Sequence, residues 1–133
     1  MLSRSAAREL AFELIFEKNF REEPVSQIME TAVEARQVEN DQFARETACG
    51  VFEHIDEIDE VISNNLQGWT INRVSKVALS VMRLSVFEIL FSDVPDSVSI
   101  NEAVEIAKKF GGEDDSSYVN GVLGTIARGK ENA

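Results

Sequence analysis

Between Val74 and Phe91 the chain is apolar on nearly every side: Val77, Ala78 and Val81 form one face, and Leu79, Met82, Val86, Ile89 and Leu90 fill the others. Spacings of three and four residues make this segment a helix, and a helix apolar nearly all round belongs in the middle of other helices. Its one polar stripe is Arg73, Lys76, Ser80 and Arg83. Arg83 lies in so apolar a stretch that a partly buried ion pair is expected, with Glu102 as its partner. Arg73 and Lys76, near the helix start, are freer.

The flanking sequence supplies the surrounding helices. The first runs from about Ser3 to Phe20, with Ala6, Ala7, Leu10, Ala11, Leu14 and Ile15 as a wide apolar face. A second follows Pro24 and carries Val25, Ile28, Met29, Ala32 and Val33. Asn40 or Asp41 can cap a third, long helix reaching about Asn65, buried through Phe43, Thr47, Val51, Ile55, Ile58 and Ile62. Gly68 and Trp69 mark a break, and a short helical turn precedes the central segment. Ser99 and Glu102 have the spacing of a capping box. The helix they open buries Ala103, Ile106, Ala107 and Phe110 and stops at Gly111-Gly112. Asp114 or Asp115 caps the last helix, whose core face is Val119, Val122, Leu123 and Ile126. Period-2 alternation is almost absent. The expected fold is an all-α compact bundle of six or seven helices, one domain over 1–133 with helical halves at 1–67 and 68–133.

Composition removes several classes of function. One cysteine, Cys49, and one histidine, His54, leave no disulfide framework, Cys-rich metal site or multi-His site. These two lie five apart and project differently from one helix, with no third group to orient a base. No phosphate-cradling glycine motif and no calcium loop is present. The expectation is a protein that is not an enzyme and needs no cofactor or metal. No run approaches the roughly 18 apolar residues of a membrane span. Arg4, Arg8 and two early serines faintly suggest a transit peptide, but Glu9, Glu13 and Glu17 argue against one, so a cytoplasmic location is expected.

Thirteen bases against 24 acids give a net charge of −11, which at face value opposes nucleic-acid binding. The excess is localised, however. Residues 22–67 hold two bases and twelve acids, a net −10, whereas residues 1–21 carry +1 and residues 68–92 carry +2. With Debye screening over about 8–10 Å, an acidic middle has little influence on a distant basic surface. Arg4 and Arg8, four apart on the first helix, suit either phosphate contact or a solvated face with surface pairing to acids such as Glu9. Tyr118 sits one turn into the last helix, where its ring either stacks on a nucleobase or covers the core edge. Asn120 and Gly121 cost helix stability, and Gly121 suggests close approach by another helix.

Several runs resemble the NusB transcription antitermination family. The most specific are SINEAVEIAKKFG (Ser99–Gly111) and YVNGVLG (Tyr118–Gly124). Further matches are VMRLSVFEIL (Val81–Leu90), the Val94-Pro95 loop, ETACGV (Glu46–Val51) with Ile58, Asp59 and Ile62, Trp69, and SRSAARELAFELIF (Ser3–Phe16). The resemblance implies about seven helices in two three-helix subdomains. It also implies a non-enzymatic factor that binds boxA-type single-stranded RNA, usually with NusE, a small-subunit ribosomal protein. That pair joins other Nus factors on RNA polymerase and supports ribosomal RNA transcription; some members form homodimers that mask the RNA surface. By position, Arg4 and Arg8 fall on the family's arginine-rich motif, which Ser5 and Ala6 thin out here. Phe16 fills an aromatic position near the RNA path, and Asp114, Ser117 and Tyr118 fall on the RNA-contacting stretch. Arg73, Lys76 and Ala78 are the implied partner-binding residues, and Ala78-Leu79 stands where a charged pair is common. The alternative is a helical protein-interaction module in which RNA contact is secondary.

Overall fold

The computed structural model describes residues 1–66 and 68–131, and among these every regular element is a helix. In order they are α1 (Arg4–Lys18), α2 (Val25–Arg36), α3 (Gln42–Glu53), α4 (Ile55–Ser63), a 3-10 turn (Ile71–Arg73), α5 (Lys76–Phe91), α6 (Asp96–Gly111) and α7 (Glu113–Glu131). Side-chain caps define three of the starts. Ser3 accepts from the Ala6 amide, Asp41 from Ala44 and Ser75 from Ala78, each satisfying an amide the helix leaves free. Pro24 and Pro95, with φ near −60°, precede α2 and α6.

Helix α5 is the axis of the bundle and packs against α1, α3, α4, α6 and α7. Its buried residues include Ala78, Leu79, Val81, Met82, Leu84, Val86 and Ile89, which leave few outward positions. One continuous core joins all of these but Ile89 to Phe12 and Leu14 of α1, Met29 of α2, Val51 of α3, Ile62 of α4, Ala107 of α6 and Leu123 of α7. Between α6 and α7 the chain reverses through the single residue Gly112, at φ 93° and ψ −174°. That conformation is essentially restricted to glycine, which lets the two helices fold back on each other.

Three helix boundaries differ from expectation. The long third helix is two helices, broken at His54, whose φ of −118° and ψ of 24° are not helical. The His54 ring stacks on Phe91 of α5 with centroids 4.2 Å apart, and α4 restarts with Asp56 and Glu57 in its first turn, where free amides favour carboxylates. Tertiary stacking therefore overrides a continuous helical pattern. Ser99 and Glu102 do not form a capping box, because Pro95 starts α6 three residues before Ser99 and leaves Ser99 fully buried mid-helix. Asp114 and Asp115 are not caps either, since Gly112 ends α6 and α7 begins at Glu113, which puts both carboxylates inside the first turn. Asp115 instead accepts from the Ser75 hydroxyl at 3.1 Å and ties the start of α7 to the start of α5.

Two ion pairs lock α5 to its neighbours. Arg83 holds Asp59 of α4 through two hydrogen bonds of 2.9 and 2.8 Å, so the expected pairing with Glu102 is replaced by one across the α4–α5 interface. Deeper in, Arg8 of α1 donates from Nε to Glu88 Oε2 at 2.9 Å, with the two residues only 4% and 1% exposed. The other Glu88 oxygen accepts from Ser99 of α6 at 3.0 Å, and Ser99 shares a 2.8 Å bond with Ser85. Removing one member strands a buried charge, so Glu88→Ala should lower unfolding free energy by about 3–5 kcal/mol in urea titrations. An Arg8→Met, Glu88→Leu double variant should recover most of that loss.

Candidate nucleic-acid interface

Free positive charge is scarce on this surface. Arg8, Arg21, Arg36, Arg83, Lys109 and Lys130 are each paired with a carboxylate. Among the described residues, Arg4, Arg73, Lys76, Lys108 and Arg128 are exposed with no such partner. Arg4 stands on the first turn of α1, its guanidinium carbon 4.0 Å from the centre of the Phe43 ring. The expectation that Arg8 shares that open face is corrected. Its side chain turns inward because Glu88 offers a buried partner, and a second carboxylate, Glu102, lies 3.8 Å from Nη1. Arg8 is a joint between helices.

The remaining sequence-derived residues fall into two further groups. Phe16 is half-buried in an aromatic row: its ring meets Phe20 edge-on at 5.4 Å and Phe12 at 6.0 Å. Phe110, expected in the core, packs on Phe12 at 5.0 Å but is 40% exposed, because Gly111-Gly112 ends the helix at the surface. Lys76 reaches the same row, with Nζ 6.0 Å from the Phe20 ring. Asp114 is exposed on the first turn of α7 that follows this row, and Ser117 lies one turn further on.

Ser117 and Tyr118 line a groove with Asn65, Trp69, Gly121 and Arg128. Tyr118 packs its ring against the core, as one of the two sequence readings has it, but its buried hydroxyl finds no hydrogen-bond partner among the described residues. Burial also pushes its pKa up. Gly121 is not a point of close helix approach; the space beside it is open and forms part of the groove.

The six residues thus do not form one patch. Arg4 and Phe16 are twelve positions apart on α1, about 18 Å at 1.5 Å per residue. The partner face loses a member as well, since Ala78 is 1% exposed and Leu79 9%, both enclosed by the helices around α5. Arg73 and Lys76 remain exposed. Phe20, Trp69 and Phe43 were not singled out from the sequence as site residues. Phe43 carries the core spacing of its helix, and Trp69 marks a break, so neither has a local signal of exposure. The break at His54 brings His54 and Cys49 to the rim of one groove with Phe87 and Phe91, although their spacing suggested divergence. There the Cys49 thiol is pushed up by burial and by the charge of Glu53.

A family model described as the NusB family matches residues 5–128. The transcription antitermination protein NusB of Oceanobacillus iheyensis is 40% identical over 126 residues, covering 94% of this chain and 98% of that protein. The chain belongs to the NusB family. Among solved NusB structures, T. maritima NusB superposes with a TM-score of 0.82 at 37% identity, covering 96% of this chain and 92% of that one. A crystal structure of the antitermination factors NusB and NusE in complex with double-stranded RNA gives 0.84 at 29% identity, covering 95% and 96%. No helix among the described residues is long and apolar enough to cross a membrane.

Within this NusB-family surface, Glu13 lines the groove beside Phe16 and Phe110. Burial, then the charge of Glu9, pushes its carboxyl above the ordinary range, although Arg36 opposes the rise. The folded state therefore binds this proton more readily than the unfolded chain. Stability falls as pH rises through the raised value, and the penalty vanishes once pH drops below the ordinary glutamate range. Glu13→Gln should raise the urea midpoint at neutral pH and leave it unchanged in acid, where Glu13 is already neutral.

Proposed function

We propose that this chain is a non-enzymatic, cytoplasmic transcription antitermination factor. In this reading it binds boxA-type single-stranded RNA together with NusE and supports ribosomal RNA transcription on RNA polymerase with other Nus factors. What carries the reading is the near-complete match to NusB proteins, together with the likeness to a chain of the crystal structure of NusB and NusE in complex with double-stranded RNA. The surface chemistry supports it. Arg4 offers a charge-assisted contact to a phosphate, Phe16 and Tyr118 offer rings for unstacked bases, and Asp114 and Ser117 offer polar groups to base edges. Arg8 contributes from within by holding α1. Arg73 and Lys76 are left to meet the protein partner, and a homodimer covering α1 would compete with RNA.

With so few free bases, affinity should depend on the partner. Titration of boxA RNA with and without NusE, at two salt concentrations, should show clearly tighter binding in the complex. In that complex Arg4→Ala should weaken binding and reduce the salt slope by about one. Tyr118→Ala should cost about 1–3 kcal/mol with little change in slope. If neither substitution alters binding, the assigned surface is wrong. A second reading, a protein-interaction module with secondary RNA contact, is favoured by the burial of Arg8 and the exposure of Phe20 (63%) and Trp69 (53%). Normal NusE binding with no RNA contribution from this subunit would select it.

A further inference from the structure

The groove beside the start of α1 contains an unusual arrangement of charge. Arg4 lines it together with three carboxylates, Glu39, Asp41 and Glu46, and with Phe43. Proximity of this kind would ordinarily end in an ion pair, yet Arg4 has no carboxylate within 4.0 Å among the described residues. Each carboxylate is engaged elsewhere. Glu39 accepts from the Leu2 amide at 2.9 Å, Asp41 caps α3 through the Ala44 amide at 2.9 Å, and Glu46 accepts from Gln42 Nε2 at 2.8 Å. The Arg4 guanidinium lies instead over the Phe43 ring at 4.0 Å.

A guanidinium over a ring is attracted through its face, while its N–H donors lie in its plane and stay available. The same Phe43 ring is 5.5 Å from the guanidinium carbon of Arg8, which Glu88 fixes from the core. Glu88, Arg8, Phe43 and Arg4 thus form a contiguous chain from α5 through α1 and α3 to the surface.

We propose that Phe43 is a positioning residue for RNA binding. It holds the Arg4 guanidinium off the neighbouring carboxylates, with its in-plane donors presented to a phosphate of single-stranded RNA. This rests on the RNA-binding reading above and adds to it a residue on α3. Pre-organisation of this kind reduces the ordering cost of a long side chain on binding.

The experiment measures binding of a boxA-type single-stranded RNA oligonucleotide to the NusE complex of the Arg4→Ala, Phe43→Leu and doubly substituted proteins, at two salt concentrations. Phe43→Leu should weaken binding about two- to fivefold, the range expected for an exposed cation–ring contact, and should flatten the salt slope as Arg4→Ala does. In the Arg4→Ala background it should have no further effect. Phe43→Tyr should restore binding. Replacing Phe43 with pentafluorophenylalanine, which keeps the shape and reverses the charge on the ring face, should reproduce the loss even if Phe43→Leu does not fold. Losses that add in the double variant, or a Phe43→Leu protein that binds normally while Arg4→Ala does not, would overturn the proposal and leave the RNA-binding reading intact. An Arg4→Ala protein that binds normally would remove the phosphate role of Arg4 itself, and the positioning role with it.

Discussion

The structure depends most on the buried pair of Arg8 and Glu88, with Ser99 donating to the other carboxylate oxygen and Ser85 bonded in turn to Ser99. Apolar packing drives the bundle together but is non-directional, and many rotations of α1 against α5 would bury similar area. A charge that is 1% exposed needs its partner within hydrogen-bond distance, and only a narrow range of helix placements provides that. The pair draws α1, α5 and α6 to one point. Ser5, one turn before Arg8, donates to Glu102 of α6 at 2.7 Å and extends the same joint outwards.

The fate of the basic residues follows from that joint. Arg8 is spent inside, Arg83 is spent on Asp59, and four surface bases are neutralised by neighbouring acids. A net charge of −11 is thus accompanied by a small set of free cations, and those near the start of α1 and the start of α5 matter most for an anionic ligand. The acidic middle of the chain favours solubility and disfavours RNA over most of α2 to α4, although three of its carboxylates, Glu39, Asp41 and Glu46, border the groove of Arg4 and are engaged within the protein. The exposed rings of Phe20, Trp69 and Phe110 lie on the groups that carry the free bases or the start of α7. Rings stack on bases with little dependence on salt, so a surface poor in cations can still hold RNA through them.

Much of the fold was legible in the sequence because helical periodicity is a local property. The central place of α5 followed from its all-round apolar character, and Ser3, Asp41 and Pro24 marked helix starts through local backbone chemistry. Boundaries failed where a distant contact competed with that chemistry. His54 ends α3 against Phe91, 37 residues further along the chain, and no window around His54 contains that ring. Ser99 and Glu102 have a capping spacing, but Pro95 supplies an earlier start and the core claims the serine. The site was less legible than the fold, since an arginine four residues from another looks alike whether it faces water or a buried glutamate.

By itself, then, the sequence determined an all-helical chain with a wrapped central helix, an acidic middle and little capacity for metal or nucleophilic chemistry. Those properties rest on side-chain type and spacing along the chain. Tertiary structure alone decided that Arg8 is internal, that Ala78 is enclosed, and that Arg4 rests on Phe43 while three nearby carboxylates are engaged elsewhere. Each of these depends on which of several possible partners, distant in sequence, comes within a few ångströms once the helices pack. That selection is made by the joint burial of surfaces, and no local pattern records it.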